Sequence, residues 1–145
     1  MTTGPFRRIL VGWDCSPGAA AALRAAMAAA TDETARVVVL AVLKPAPSTE
    51  EAAEGAADFD GRQRVAEETF AKTCSAMPDG QRARVTLRFT ESGDAARTVC
   101  EYAQQHGFDL LVLGRHGAGG VLHPRLGHVA ATAARKASLP VLLAP

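Results

Sequence analysis

Two short glycine motifs near the end of the sequence have residue types that suit anion binding. The first, Gly114-Arg115-His116-Gly117, directly follows the apolar run at residues 110–113, and the second, Gly127-His128, comes nine residues later. Backbone N–H groups approach a phosphate most closely where no Cβ intervenes, and a helix N-terminus adds partial positive charge. A strand, a glycine loop and a helix start in this order predict a phosphate cradle.

Asp14 is the second candidate, because it directly follows the apolar run Ile9-Leu10-Val11-Gly12-Trp13. The carboxyl ends of neighbouring parallel strands meet at one sheet edge, and ligands of open α/β sheets bind there. Asp14, Val42 and Gly114 all end predicted strands. Asp14 can instead cap the following turn, although Ser16 is already available as the N-cap.

Strands and helices alternate along the whole sequence. Apolar runs predict buried strands at 9–12, 37–43, 110–113 and 140–144, and the period-two pattern at 85–90 predicts a strand at the sheet edge. Helices are predicted after Ser16, over 62–77, after Asp94 and from His128 to about 137. Residues 45–60 are predicted to form an exposed loop with room for a short helix. The alternation predicts a parallel sheet covered on both faces.

Composition excludes several classes of protein. The chain has 145 residues, which fits one domain over 1–145, and a net charge of +1 from 16 basic and 15 acidic residues. This balance gives no overall field for nucleic acid or a membrane surface. Three widely spaced cysteines, no export signal and no strongly apolar run of about 18 residues predict a soluble cytoplasmic protein.

Four segments together resemble the universal stress protein family over nearly the whole chain. They are residues 9–14, Gly93-Asp94, the G-x2-G-x9-G glycine spacing and the Leu-Pro-Val-Leu-Leu ending. The resemblance implies a Rossmann-like, three-layer α/β fold with a five-stranded parallel sheet in the order 3-2-1-4-5. It also implies a cytoplasmic stress-response protein that binds ATP, or another adenine nucleotide, with Mg²⁺ and slow or no hydrolysis. The homodimer that it implies forms through the last strand: Val141, Leu142, Leu143 and Ala144.

The resemblance also implies a set of site residues. Asp14 would lie against the ribose, the backbone at Val42 against adenine, and the fourth-strand loop and last helix start against the phosphates. The full candidate set is Gly12, Trp13, Asp14, Val42, Leu113, Gly114, Arg115, His116, Gly117, Gly127, His128 and Val129. His128 stands where the family's nucleotide-binding pattern has Ser or Thr, so a hydroxyl donor is replaced by an imidazole.

Alternatives remain open at this point. His128 also suits a dimeric scaffold of the same family that binds no nucleotide, and a nucleotide-dependent enzyme on a similar sheet is a further alternative. No base and nucleophile dyad is evident, so the chain is predicted to be no enzyme beyond a weak ATPase. His116, His123 and His128 match no known metal spacing. Arg125 is either a γ-phosphate contact or a solvated charge.

Overall fold

The computed structural model describes residues 6–45, 51–116 and 127–145, except for the side chains of residues 51–59. Gly117, His123 and Arg125 therefore lie outside the described residues. The described elements are, in chain order, β1 (Arg8–Trp13), α1 (Pro17–Ala29), β2 (Arg36–Leu43), α2 (Glu51–Ser75), α3 (Asp79–Arg82), β3 (Val85–Glu91), α4 (Ala95–Gln105), β4 (Leu110–Gly114), α5 (His128–Lys136) and β5 (Val141–Ala144).

The strands form one sheet in the order β3-β2-β1-β4-β5, and every neighbouring pair is parallel. This confirms the predicted α/β fold and strand order. β1 lies at the centre, where Ile9 is level with Val37 of β2 on one side and Leu110 of β4 on the other. The chain crosses to β2 and β3 first and later to β4 and β5. The strand order therefore reverses between β1 and β4, which is where ligands of such sheets bind.

Helices cover both faces of the sheet, because alternate residues of the central strands point to opposite sides. On one face, Ile9, Val11 and Trp13 of β1 pack in a buried cluster with Leu23 and Met27 of α1. On the other face, buried apolar residues from five elements pack together: Leu10, Leu40, Leu111, Val99, Ala103 and Ala133. The core thus consists of two apolar layers separated by the sheet.

β3 is an edge strand, as its alternating pattern predicted. Val85, Leu87 and Phe89 are partly buried against the first cluster, whereas Thr86 and Arg88 are exposed. A strand with one wet face and one free edge accepts polar residues at every second position. The period-two pattern therefore distinguished this strand correctly from the buried ones.

The prediction of a loop over residues 45–60 is wrong from residue 51 onward, because α2 begins at Glu51 and continues to Ser75. The first ten residues of α2 are rich in alanine and glutamate, which have high helix propensity, and acidic residues favour a helix N-terminus. These residues lack amphipathic periodicity, so the sequence pattern did not predict a helix here. Among the described residues, no helix has the length and apolar character needed to span a membrane.

Candidate functional site

A cavity of about 250 Å³ lies where β1, β2 and β4 end, and we call it the switch cavity. It occupies the reversal point between β1 and β4. Its walls are mainly apolar, and its polar side chains are Asp14, His116 and His128. The lining residues are Gly12, Trp13, Asp14, Ala19, Leu40, Val42, Ala95, Val99, Leu113, Gly114, His116, Gly127, His128, Val129 and Ala130.

Three helices begin at the switch cavity: α1 on one face of the sheet, and α4 and α5 on the other. Ser16 is the N-cap of α1, and its side-chain oxygen accepts a hydrogen bond from the Ala19 N–H at 3.1 Å. Gly127 is the N-cap of α5 and has no side chain with which to cap it. The first N–H groups of a helix have no partner within the helix. The α5 N-terminus is thus available for anion binding, whereas a serine caps the α1 N-terminus.

Close backbone contact explains two of the glycines at this edge. A Cβ added to Gly114 would lie 2.7 Å from the carbonyl carbon of Gly18, and one added to Gly18 would lie 2.6 Å from the carbonyl oxygen of His116. Atoms that close would clash, so the first turn of α1 can lie against the end of β4 only without these side chains. Gly114 therefore has a structural requirement that is independent of any ligand.

The Asp14 carboxylate is held by the turn that follows it. Its Oδ1 atom accepts hydrogen bonds from the backbone N–H of Ser16, at 3.0 Å, and from the Ser16 hydroxyl. The turn interpretation and the ligand interpretation of Asp14 are therefore compatible: one oxygen organises the turn, while the exposed residue lines the switch cavity.

Trp13 and Cys15 connect this edge of the cavity to α2. The Trp13 indole is 5% exposed and meets Phe70 edge to face, with ring centroids 6.1 Å apart. Its Nε1 has no oxygen or nitrogen partner among the described residues. Burial raises the pKa of the Cys15 thiol, although hydrogen bonds with Thr69 and Trp13 act in the opposite direction. Trp13 thus both borders the cavity and packs under its edge, and the Cys15 thiol stays protonated near neutral pH.

The loop after β4 is tied to both β5 and α5. The Arg115 N–H donates to the Ala144 carbonyl at 2.8 Å, and the Arg115 carbonyl accepts from the Gly127 N–H at 2.7 Å. These bonds fix Gly127 beside the end of β4 across the intervening residues. The Nδ1 atom of His116 is enclosed by protein and has no hydrogen-bond partner among the described residues.

Ten of the twelve predicted site residues line the switch cavity. Arg115 is exposed and does not line it, and Gly117 lies outside the described residues. Sequence reasoning missed the apolar wall formed by Ala19, Leu40, Ala95, Val99 and Ala130. The apolar stripe of α4 predicts that Val99 is buried. A single sequence does not show which end of such a stripe borders a cavity. Among the described residues, no group of three or more His, Cys, Asp or Glu side chains is placed to hold a metal ion.

The sheet order and the cavity at its reversal point define a doubly wound α/β protein. More narrowly, residues 5–145 match the model of the universal stress protein family, and the chain belongs to this family.

Solved structures of the family are similar to this chain over almost its whole length. Universal stress protein UspA from Lactobacillus plantarum is 21% identical, with a TM-score of 0.84, covering 99% of this chain and 100% of its own. A universal stress protein in complex with cAMP is 23% identical, with a TM-score of 0.69, covering 98% and 99%. A family protein from Arabidopsis thaliana with AMP bound is 14% identical, with a TM-score of 0.63, covering 95% and 90%. No curated protein sequence matches the chain.

Proposed function

We propose that this chain binds an adenine nucleotide, ATP with Mg²⁺ or a related nucleotide, in the switch cavity and acts as a cytoplasmic regulatory module of the stress response. The observation that carries the proposal is the convergence at one cavity of apolar walls, the carboxylate of Asp14 and the uncapped N-terminus of α5. Apolar walls suit a purine, and a helix N-terminus suits a phosphate. Two structures of the family, described as bound to cAMP and AMP, support the choice of ligand class.

The proposed residue roles follow the position of each group around the cavity. Asp14 binds the ribose hydroxyls, and the backbone at Val42 meets the adenine. The phosphates lie against the loop after β4 and the start of α5. Gly12, Trp13 and Leu113 shape the wall. The residues proposed to meet the phosphates are Gly114, His116, Gly127, His128 and Val129, which line the cavity, together with Arg115 and Gly117 of the loop after β4.

Two measurements test nucleotide binding. Purified protein is denatured and the released small molecules are separated by chromatography, which identifies any nucleotide carried through purification. A thermal melt with added Mg-ATP gives the second readout, because ligand at about 100 times its Kd stabilises the folded state by about 2.7 kcal/mol. No released nucleotide together with no shift for ATP, AMP or cAMP would reject the proposal.

Asp14→Asn tests the ribose role without dismantling the turn, because asparagine keeps an oxygen that can accept from Ser16. We expect a loss of nucleotide affinity of about tenfold or more, since a hydrogen bond to a charged group is lost. Glu68→Gln is the matched control, because Glu68 is an exposed carboxylate on α2. Equal affinity of both variants would show that Asp14 does not bind the ribose.

We propose further that bound nucleotide serves as a signal, with hydrolysis absent or slow. The hydroxyl that donates to Asp14 belongs to Ser16, and its oxygen also accepts the Ala19 N–H as the N-cap of α1, so the turn holds this hydroxyl in a structural role. Phosphate release from Mg-ATP should therefore remain at the level of an Asp14→Asn control. Turnover that the wild-type protein shows and this variant lacks would favour an enzyme instead.

A dimeric scaffold is a second candidate function, because β5 is an apolar edge strand. It pairs only with β4 among the described strands, and Leu142 is 39% exposed. An apolar edge strand is a ready surface for pairing with a second copy. We propose a homodimer through Val141, Leu142, Leu143 and Ala144 that exists with or without nucleotide.

Light scattering at micromolar concentration tests the dimer. Leu142→Lys should shift the protein to monomer, because a charge would be buried in the pairing surface. Val65→Lys is the matched control, since Val65 on α2 is 53% exposed. A dimer that survives Leu142→Lys, or a monomeric wild-type protein, would contradict the proposed interface.

A further inference from the structure

His128 occupies a position that differs from every other ionisable side chain of the switch cavity. It is the first helical residue of α5, it is exposed, and no side chain caps the helix in front of it. It lines the switch cavity and two neighbouring grooves, one between α4 and α5 and one beside the end of β2. An imidazolium there would add a full charge to the partial positive charge of the helix end.

His116 supplies a second imidazole to the same cavity. Its Nδ1 atom is enclosed and has no hydrogen-bond partner among the described residues. Because this nitrogen is enclosed, it is not open to a ligand in the cavity. The exposed His128 is therefore the imidazole that can meet a bound phosphate.

Charged groups of both signs lie around His128 in the described part of the chain. Asp14 follows β1, and Asp94, the N-cap of α4, shares both neighbouring grooves with His128. Lys44 after β2 lines the groove beside that strand. The groove between α4 and α5 adds Arg97, which is paired with Glu101 at 2.7 Å, and also Cys100, Arg135 and Lys136. Among the described residues that line the switch cavity itself, the ionisable side chains are Asp14, His116 and His128, and none is a lysine or arginine.

We propose that nucleotide binding to this chain takes up a proton, with the His128 imidazole as the acceptor, so that affinity rises as pH falls. The inference rests on the proposed nucleotide site and adds its regulation. A hydroxyl at position 128 would bind phosphate equally well at acid and at neutral pH, whereas an imidazole binds it better when protonated. Occupancy of the cavity then responds to acidification.

The test uses cAMP as the probe, because its phosphodiester keeps one negative charge across the pH range used. Calorimetric titrations in two buffers of different ionisation enthalpy count the protons taken up on binding. We expect uptake of about half a proton or more near pH 6.5, and affinity about tenfold higher at about pH 5.8 than at about pH 7.5. Zero proton uptake by the wild-type protein would overturn the proposal.

Variants identify the acceptor. His128→Ser keeps a phosphate donor without a titratable ring, so we expect it to bind cAMP with less than half of the wild-type proton uptake. His106→Asn is the matched control, because His106 is the exposed C-cap of α4 and lines none of the three cavities, and its uptake should equal that of the wild type. Undiminished uptake in His128→Ser would overturn the assignment. Absence of binding by ATP, AMP and cAMP at every pH would instead reject the nucleotide site itself.

Discussion

The contact between Gly18 and Gly114 makes a quantitative prediction about the start of α1. An alanine Cβ at Gly114 would lie 2.7 Å from the Gly18 carbonyl carbon, 2.8 Å from its oxygen and 3.0 Å from its Cα. All three atoms are backbone, so no side chain can rotate away. To reach an ordinary contact of 3.4 Å, α1 and β4 must separate by about 0.7 Å.

We expect Gly114→Ala to lower the free energy of unfolding by about 3 kcal/mol, the upper end of the range for overpacking a well-packed core. For a chain of this length, about 3 °C of melting temperature corresponds to 1 kcal/mol, so the melting temperature should fall by about 9 °C. Gly18→Ala should act in the same direction, because its Cβ would lie 2.6 Å from the His116 oxygen. The double variant should lose less free energy of unfolding than the two single variants together, since one separation of α1 from β4 relieves both clashes.

Urea denaturation and thermal melts in the absence of nucleotide measure these changes. Gly61→Ala is the control, because Gly61 lies inside α2 and an added Cβ there meets no atom within 4 Å. That variant should gain up to about 1 kcal/mol, since glycine is a poor helix former. If Gly114→Ala were as stable as the wild type, the packing explanation for this glycine would be wrong.

Three further predictions concern turns at the ends of strands and helices. Cys15 has a φ of 65°, a left-handed conformation that strains any residue with a Cβ. Cys15→Gly should therefore be more stable than Cys15→Ala by about 1 kcal/mol in urea denaturation. Equal stabilities of the two variants would show that the backbone at this position is not strained. Ser16→Ala should lose about 1 kcal/mol with the N-cap of α1, while Ser16→Thr should keep most of it; equal losses in both would reject the cap. Backbone and hydroxyl hydrogen bonds from Thr34 lower the pKa of Asp32, so its contribution is present near neutral pH and is lost as pH falls through the folded-state pKa. Asp32→Ala should therefore destabilise the protein more at neutral pH than at acid pH, whereas a loss of stability that does not change with pH would contradict this linkage.

The strand order could be predicted because the strands differ in the pattern of their side chains. The continuous apolar runs at β1, β2 and β4 require two covered faces, and the alternation of Thr86 and Arg88 with apolar neighbours requires one wet face. The family resemblance then fixed the order, which the structure confirms. Residues 51–60 could not be assigned in the same way, because helix propensity without an apolar stripe leaves no periodicity to detect.

The polar lining of the switch cavity could be predicted from the sequence better than its apolar lining. Asp14, His116 and His128 stand out in the sequence because they follow strands or begin a helix at one sheet edge. Leu40 and Val99 resemble every other core residue, and only the three-dimensional arrangement shows that they border a cavity. The contact of Gly18 with Gly114 was equally invisible, because it joins residues 96 positions apart through backbone atoms alone.

The hydrogen bonds that Asp14 accepts from Ser16 have a consequence for the entropy of ligand binding. A free aspartate loses rotamer freedom when a ligand immobilises it, and that loss subtracts from affinity. Asp14 has already lost this freedom on folding, because the Ser16 N–H and hydroxyl hold its carboxylate in place. A contact made through Asp14 therefore keeps more of its interaction free energy, and the turn after β1 acts as a preorganised part of the cavity wall.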